Sequence, residues 1–240
     1  MKRETGQRTA TELNDSHEPV YQALLSAIVE QRLPPGSRLP EEALAIAFGI
    51  SRTGIRKVLQ RLAAVQMIVL LPGRGAKVAS PDAEEARDIF HTRALIECGN
   101  LPSVMAHCQP PHLAGLERLL EQERQAHRRQ DGAAAIRLSA AFHIQLQAIS
   151  GNRVLTEMVT HLTQRSSLVI AVWGAPWRQG CRCDDHDRLV DYLRAGALPP
   201  LTDALQRHFD QILASLRFER DGEAPPDFTR LFAHKGARHL

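Results

Sequence analysis

The chain has no apolar run long enough to cross a bilayer. Its longest, Leu168 to Trp173, is far short of the ~20 residues a spanning helix needs. The stretch from Met1 to His17 lacks the apolar core of a signal peptide. Its Lys2, Arg3 and Arg8 lie among small polar residues, which predicts a flexible arm over 1–16 that either tracks phosphates or is simply solvated. Only four cysteines are present, irregularly spaced, so reduced thiols are expected rather than a disulfide framework. There is no Walker loop, no Gly-x-Ser-x-Gly and no Rossmann signature. From Pro81 to about Arg220 no segment reads as a convincing strand. Finally, the segment from Ile50 to Leu62 contains no acidic residue at all.

That last absence is the most informative, because the overall charge of only +3 is unevenly spread. Residues 1–80 hold eleven Lys+Arg against seven Asp+Glu, whereas the remainder holds nineteen against twenty. In the acid-free segment Ile50, Ile55, Val58, Leu59 and Leu62 recur at helical spacing, with Ser51 placed to cap the helix. Arg52, Arg56, Lys57 and Arg61 form the opposite face. Such a helix can anchor in a small core and present positive charge to a major groove. Alone, it would also suit a merely solvated basic face.

Its neighbours favour the first reading. Glu41 to Phe48 reads as a second short helix ended by Gly49, giving helix, glycine turn and basic helix. Met67–Leu71 and Ala76–Ser80 read as two strands joined by Pro72-Gly73-Arg74-Gly75, a wing with Arg74 at its tip. An amphipathic helix over 18–30 completes a three-helix platform, and Arg38 follows on the Pro34-Pro35-Gly36 turn. The fold class expected for 17–80 is a winged helix-turn-helix. Arg38, Ser51, Arg52, Thr53, Arg56, Gly73 and Arg74 are its candidate DNA-binding residues.

This part resembles the GntR family of bacterial repressors. The resemblance rests on Leu33-Pro-Pro-Gly-Ser-Arg-Leu39, Glu41-Glu-Ala-Leu-Ala45, Gly49-Ile-Ser-Arg-Thr53, Arg56-Lys-Val-Leu-Gln-Arg-Leu62 and the Gly-Arg-Gly wing. It departs at Gly54, where the family often has proline, and at Gln66, where it often has glycine. The resemblance implies sequence-specific binding to double-stranded DNA and a cytoplasmic location.

Beyond Pro81, helical patterns run over 82–107, 112–129, 132–149, 152–172, 184–195 and 200–219, with Pro102 expected to kink or split the first. Six helices with short connections predict an all-helical antiparallel bundle over 81–220. A flexible tail would follow over 221–240. Here Arg93-Ala-Leu-Ile-Glu97, Phe142-His143, Ser150-Gly-Asn152, Asp185-His186 and Arg207-His208 resemble the FCD effector domain of the FadR branch. That resemblance implies a homodimer reading a pseudo-palindrome, with a small effector, usually an organic acid, bound in the bundle.

It also places His143, His186 and His208 at the family's metal positions, where three imidazoles suit one Zn²⁺ or Ni²⁺. The family's fourth ligand, an aspartate one turn before the first histidine, is Ser139 here, which brings no charge. Arg93 either presents a guanidinium to an effector carboxylate or pairs with Glu97 at i+4. Arg165, ahead of Ser166 and Ser167, either lines the cavity or faces a partner helix; Ser139 is the third candidate effector contact. Cys181-Arg-Cys183 is either a second metal or thiol-sensing site or a loop with incidental thiols. A metal-dependent hydrolytic centre fused to a DNA reader is the alternative function. It lacks an acidic residue one turn from His143 to act as base.

Overall fold

The computed structural model describes residues 17–73, 75–174 and 183–218, except for the side chains of Cys183 and Asp184. The arm over 1–16, Arg74, Cys181 and the tail over 221–240 lie outside the described residues.

The chain opens with α1 (Glu18–Val29), which buries Leu24, Leu25 and Ile28. β1 (Arg38–Leu39) leads into α2 (Glu41–Phe48), closed by Gly49 at φ 64°, the left-handed conformation that glycine adopts freely. α3 (Arg52–Ala64) is the acid-free helix. Ser51 caps it, its Oγ accepting from the Gly54 N–H at 3.1 Å, a bond that a proline at 54 would remove. Ile55, Val58, Leu59 and Leu62 are buried as the spacing predicts. β2 (Ile68–Leu71) and β3 (Gly75–Val78) form the wing, and the sheet order is β1-β3-β2, antiparallel throughout.

One feature of this half differs from the sequence reading and two others add to it. Arg38 lies on a strand rather than a turn, in register with Lys77. A two-residue strand is too short to show periodicity. Gly75 makes the pairing possible: a Cβ there would stand 2.8 Å from the Leu39 carbonyl oxygen. On α2, Ile46 is 78% exposed, so its apolar side chain does not belong to the core. Gln66 takes φ 57° at the end of α3, where the Met67 N–H reaches the Leu62 carbonyl. It occupies the glycine position of a helix-ending turn without being glycine.

The second half consists, among the described residues, of six helices: α4 (Ala83–His107), α5 (Pro110–Arg128), α6 (Gly132–Ala148), α7 (Arg153–Trp173), α8 (Cys183–Arg194) and α9 (Leu198–Ser215). Asp82, Asp131 and Asn152 cap α4, α6 and α7 through their side-chain oxygens. Pro102 does not split α4, which runs unbroken for 25 residues. Leu101 and Val104 on either side are fully buried, and this packing holds the helix together despite the missing N–H. Pro110 and Pro111 start α5 rather than preceding it, because a helix's first turn needs no amide donors.

Phe90, Leu101, Leu116, Phe142, Val169, Leu205 and Phe209 anchor one core drawn from α4 to α9. The reader has its own core, but Leu168 of α7 is buried within it, and Arg137 of α6 lies 3.7 Å from Glu30 at the end of α1. No described helix is long and apolar enough to cross a membrane.

Candidate functional site: a buried histidine centre and a basic reading helix

Three helices converge on one point in the bundle. α6 brings His143, α8 brings His186 and α9 brings His208; one ring nitrogen of each lies within 4.8 Å of the others. The three residues are 1%, 0% and 2% exposed. His143 Nε2 and His208 Nε2 are 3.2 Å apart. Phe142 stacks on His186 with centroids 4.4 Å apart, and Phe209 packs on His143, so apolar rings fix the imidazoles from the sides.

Carboxylates fix them from behind. Glu97 Oε2 lies 2.7 Å from His143 Nδ1, and Glu123 Oε2 lies 2.9 Å from His186 Nδ1. Asp185 Oδ2 is 3.8 Å from His208 Nδ1. An ionised carboxylate only accepts, so each close pair puts the proton on Nδ1 and leaves Nε2 for the centre. Glu97 is itself held by Arg93, whose Nε donates to Oε1 at 2.8 Å and whose Nη1 donates to Ser166 Oγ at 3.1 Å. The guanidinium also lies over the Phe209 ring at 4.9 Å. Burial pushes the Glu97 carboxyl up, but Arg93 and His143 outweigh it and hold the group down at about 2, against an ordinary 4.5.

The donor set suits a divalent cation. Two imidazole nitrogens bound to one Zn²⁺ at about 2.0–2.1 Å sit roughly 3 Å apart, the spacing that His143 and His208 already have. The carboxylate behind each imidazole is the second layer that metal-bound histidines need. Ser139 lies one turn before His143 on α6, half-buried.

Arg93 therefore does make the i+4 pair with Glu97, and it does so beside the histidines, with its Nη2 buried and without a hydrogen-bond partner among the described residues. Arg165 is placed differently. Its guanidinium pairs with Glu85 of the first turn of α4 at 2.5 Å, in a groove with Asp82 and Asp88. Cys98 and Cys108 are free thiols. The sequence reading missed Glu123 and, as a histidine partner, Glu97. They stand 63 and 46 residues from the histidines they touch, and only a fold can join residues so far apart.

At the other end of the molecule Arg52, Thr53 and Arg56 are exposed on α3. Arg56 is held by two hydrogen bonds to Glu41 of α2, Nε to Oε1 at 3.0 Å and Nη2 to Oε2 at 2.8 Å. Arg52 and Arg56 line a cleft of about 500 Å³ together with Leu70, Pro72 and Gly73 of the wing.

The sequence model described as "Bacterial regulatory proteins, gntR family" matches residues 17–78, and that of the FCD domain matches residues 88–211, more than half of the chain. The chain belongs to the GntR family and carries an FCD domain. This GntR–FCD protein is 29% identical over 143 residues to the HTH-type transcriptional regulator YdhC of Bacillus subtilis (strain 168), covering 59% of this chain and 64% of YdhC, just under two thirds of its length. It is 26% identical over 155 residues to the HTH-type transcriptional repressor RspR of Escherichia coli (strain K12), covering 63% and 68% of the two chains. Among solved structures, a GntR regulator from Rhodococcus sp. RHA1 superposes with a TM-score of 0.74 at 21% identity, covering 83% of this chain and 96% of that one, a likeness of fold. The curated relatives are HTH-type transcriptional regulators rather than enzymes, so the hydrolytic alternative is set aside. Glu97 does not revive it, because it meets the outer nitrogen of His143 rather than the central one.

The Arg93–Glu97 pair yields a stability prediction. Arg93→Met removes the buried counter-charge and leaves Glu97 with His143 alone. Breaking such a pair costs about 3–5 kcal/mol, read as a lower urea midpoint at unchanged slope. A loss below about 1 kcal/mol would mean that Glu97 is neutral or solvated.

Proposed function

We propose that this GntR–FCD regulator is a repressor that binds a pseudo-palindromic operator as a homodimer in the cytoplasm, and that a small carboxylate bound at the histidine centre changes its operator affinity. Residues 17–80 read DNA and 81–220 bind the effector and the second copy. The observation that carries this reading is the convergence of His143, His186 and His208, each with Nδ1 facing a carboxylate, beside the unspent Nη2 of Arg93. The donor set is that of a Zn²⁺ or Ni²⁺ site. The three imidazoles would hold a divalent ion, which would supply Lewis acidity toward an anionic oxygen. Arg93 offers a charge-assisted hydrogen bond to the same anion, and Phe142 and Phe209 keep the imidazoles in place. Ser139 adjoins the centre without adding charge. Arg165, tied to Glu85, reaches an effector only by leaving that partner. RspR, named a repressor, supports the direction of control.

For DNA, Arg52 and Arg56 reach bases or adjacent phosphates in the major groove, with Thr53 beside them and Ser51 holding the first turn of α3. Glu41 pre-sets the Arg56 guanidinium. Arg38 from β1, Gly73 and the following Arg74 meet the backbone.

Two measurements test the reading. A well-placed arginine–guanine pair discriminates by about 1–3 kcal/mol, so Arg52→Ala should weaken operator binding roughly tenfold with the fold intact. Wild-type affinity in both Arg52→Ala and Arg56→Ala would remove α3 from the groove. Elemental analysis of untagged protein should find close to one Zn or Ni per chain, and Ser139→Asp should tighten its retention. Under about a tenth of an equivalent in both would leave a metal-free histidine core.

A further inference from the structure

We propose that Glu123 is the positioning residue that fixes His186 for a divalent ion and, with Glu97, balances the ion's charge from behind the imidazoles. An aspartate at position 139 would otherwise perform that second task. The inference rests on reading the histidine centre as a metal site.

Glu123 sits in the middle of α5 and is 1% exposed. One oxygen, Oε2, meets His186 Nδ1 at 2.9 Å; the other, Oε1, is buried with no hydrogen-bond partner among the described residues. A buried carboxylate whose second oxygen finds no donor carries a desolvation cost that packing alone does not return. The packing of α8 on α5 has other contacts: Leu189, Val190 and Leu193 share a buried core with Leu116 and Leu120, and Arg124 pairs with Asp187 at 2.7 Å.

What Glu123 does supply is orientation and charge. It holds the His186 proton on Nδ1, which turns the Nε2 lone pair toward His143 and His208. Glu97 does the same for His143, but Arg93 already spends part of its charge. Among the described residues Glu123 has no arginine partner, which leaves its charge to balance a cation at the centre. A metal-bound histidine that loses such a carboxylate loses 10–100-fold in metal affinity.

The test uses the full chain without a His-tag, stripped by chelator and titrated with Zn²⁺ against a competing chromophoric chelator. Glu123→Gln should weaken Zn²⁺ binding about 10–100-fold and shift the visible absorption bands of the Co²⁺-loaded protein. Glu121→Gln, a half-buried neighbour on the same helix whose partners are Arg124, Gln125 and Arg128 rather than a histidine, should stay within about twofold of wild type. Glu123→Leu, which takes away the acceptor of the His186 Nδ1–H, should lose most of the melting-temperature rise that Zn²⁺ produces in wild type. A residue that merely holds α5 to α8 would change the melting temperature of the stripped protein and leave the Zn²⁺-induced rise intact. Wild-type Zn²⁺ affinity in Glu123→Gln, or a full Zn²⁺-induced rise in the melting temperature of Glu123→Leu, overturns the role of Glu123 while leaving the metal site standing. Failure of wild type itself to bind either Zn²⁺ or Ni²⁺ overturns the metal reading and this inference with it.

Discussion

A carboxylate inside a helical bundle must find a cation or several donors, because burial penalises its charged form more than any contact with carbon can return. Glu97, fully buried, meets this constraint through a chain that runs from Ser166 through Arg93 and Glu97 to His143. The chain ties α4 to α7 and α6 and fixes which edge of His143 faces inward. His208 then meets His143 nitrogen to nitrogen, and Phe209, next to it, packs under both the imidazole and the guanidinium. The orientation of His143 thus follows from how the bundle accommodates one acidic side chain.

The same helices reach the DNA reader. α6 carries His143 toward the centre and Arg137 toward Glu30 of α1. α7 carries Ser166, which accepts from Arg93, and two residues later Leu168, buried among the side chains that support α3. A shift of α7 at the centre therefore has a packed route to the reader. Densely packed elements transmit displacement in discrete steps instead of absorbing it.

Much of this was legible in the sequence because helical periodicity survives in helices of 12 to 25 residues, and the six bundle helices begin and end within a few residues of their patterns. The three histidines were legible through family resemblance, and their convergence agrees with it. What escaped was either short or distant. β1 has two residues and no period. Ile46 is apolar but 78% exposed, since hydropathy alone does not say which face of a short helix is covered. Pro102 is expected to kink or split the first pattern and Pro110-Pro111 to precede the second, yet α4 runs unbroken through one and the other two begin α5. Glu123 looks like any helical glutamate in a charged stretch, and only the approach of α8 reveals its partner.

The central claim is that one buried centre governs the hold of the reader on DNA. It is tested most directly by fluorescence anisotropy on a DNA duplex selected from random sequences by the protein itself. Operator affinity is measured for wild type and for His143→Ala, each with and without the metabolite carboxylate that most raises the wild-type melting temperature. Coupling of about 1–3 kcal/mol predicts that the carboxylate changes wild-type affinity by roughly 5–150-fold and leaves His143→Ala unmoved. Equal affinities for wild type with and without it, or the same change in both proteins, would contradict the account.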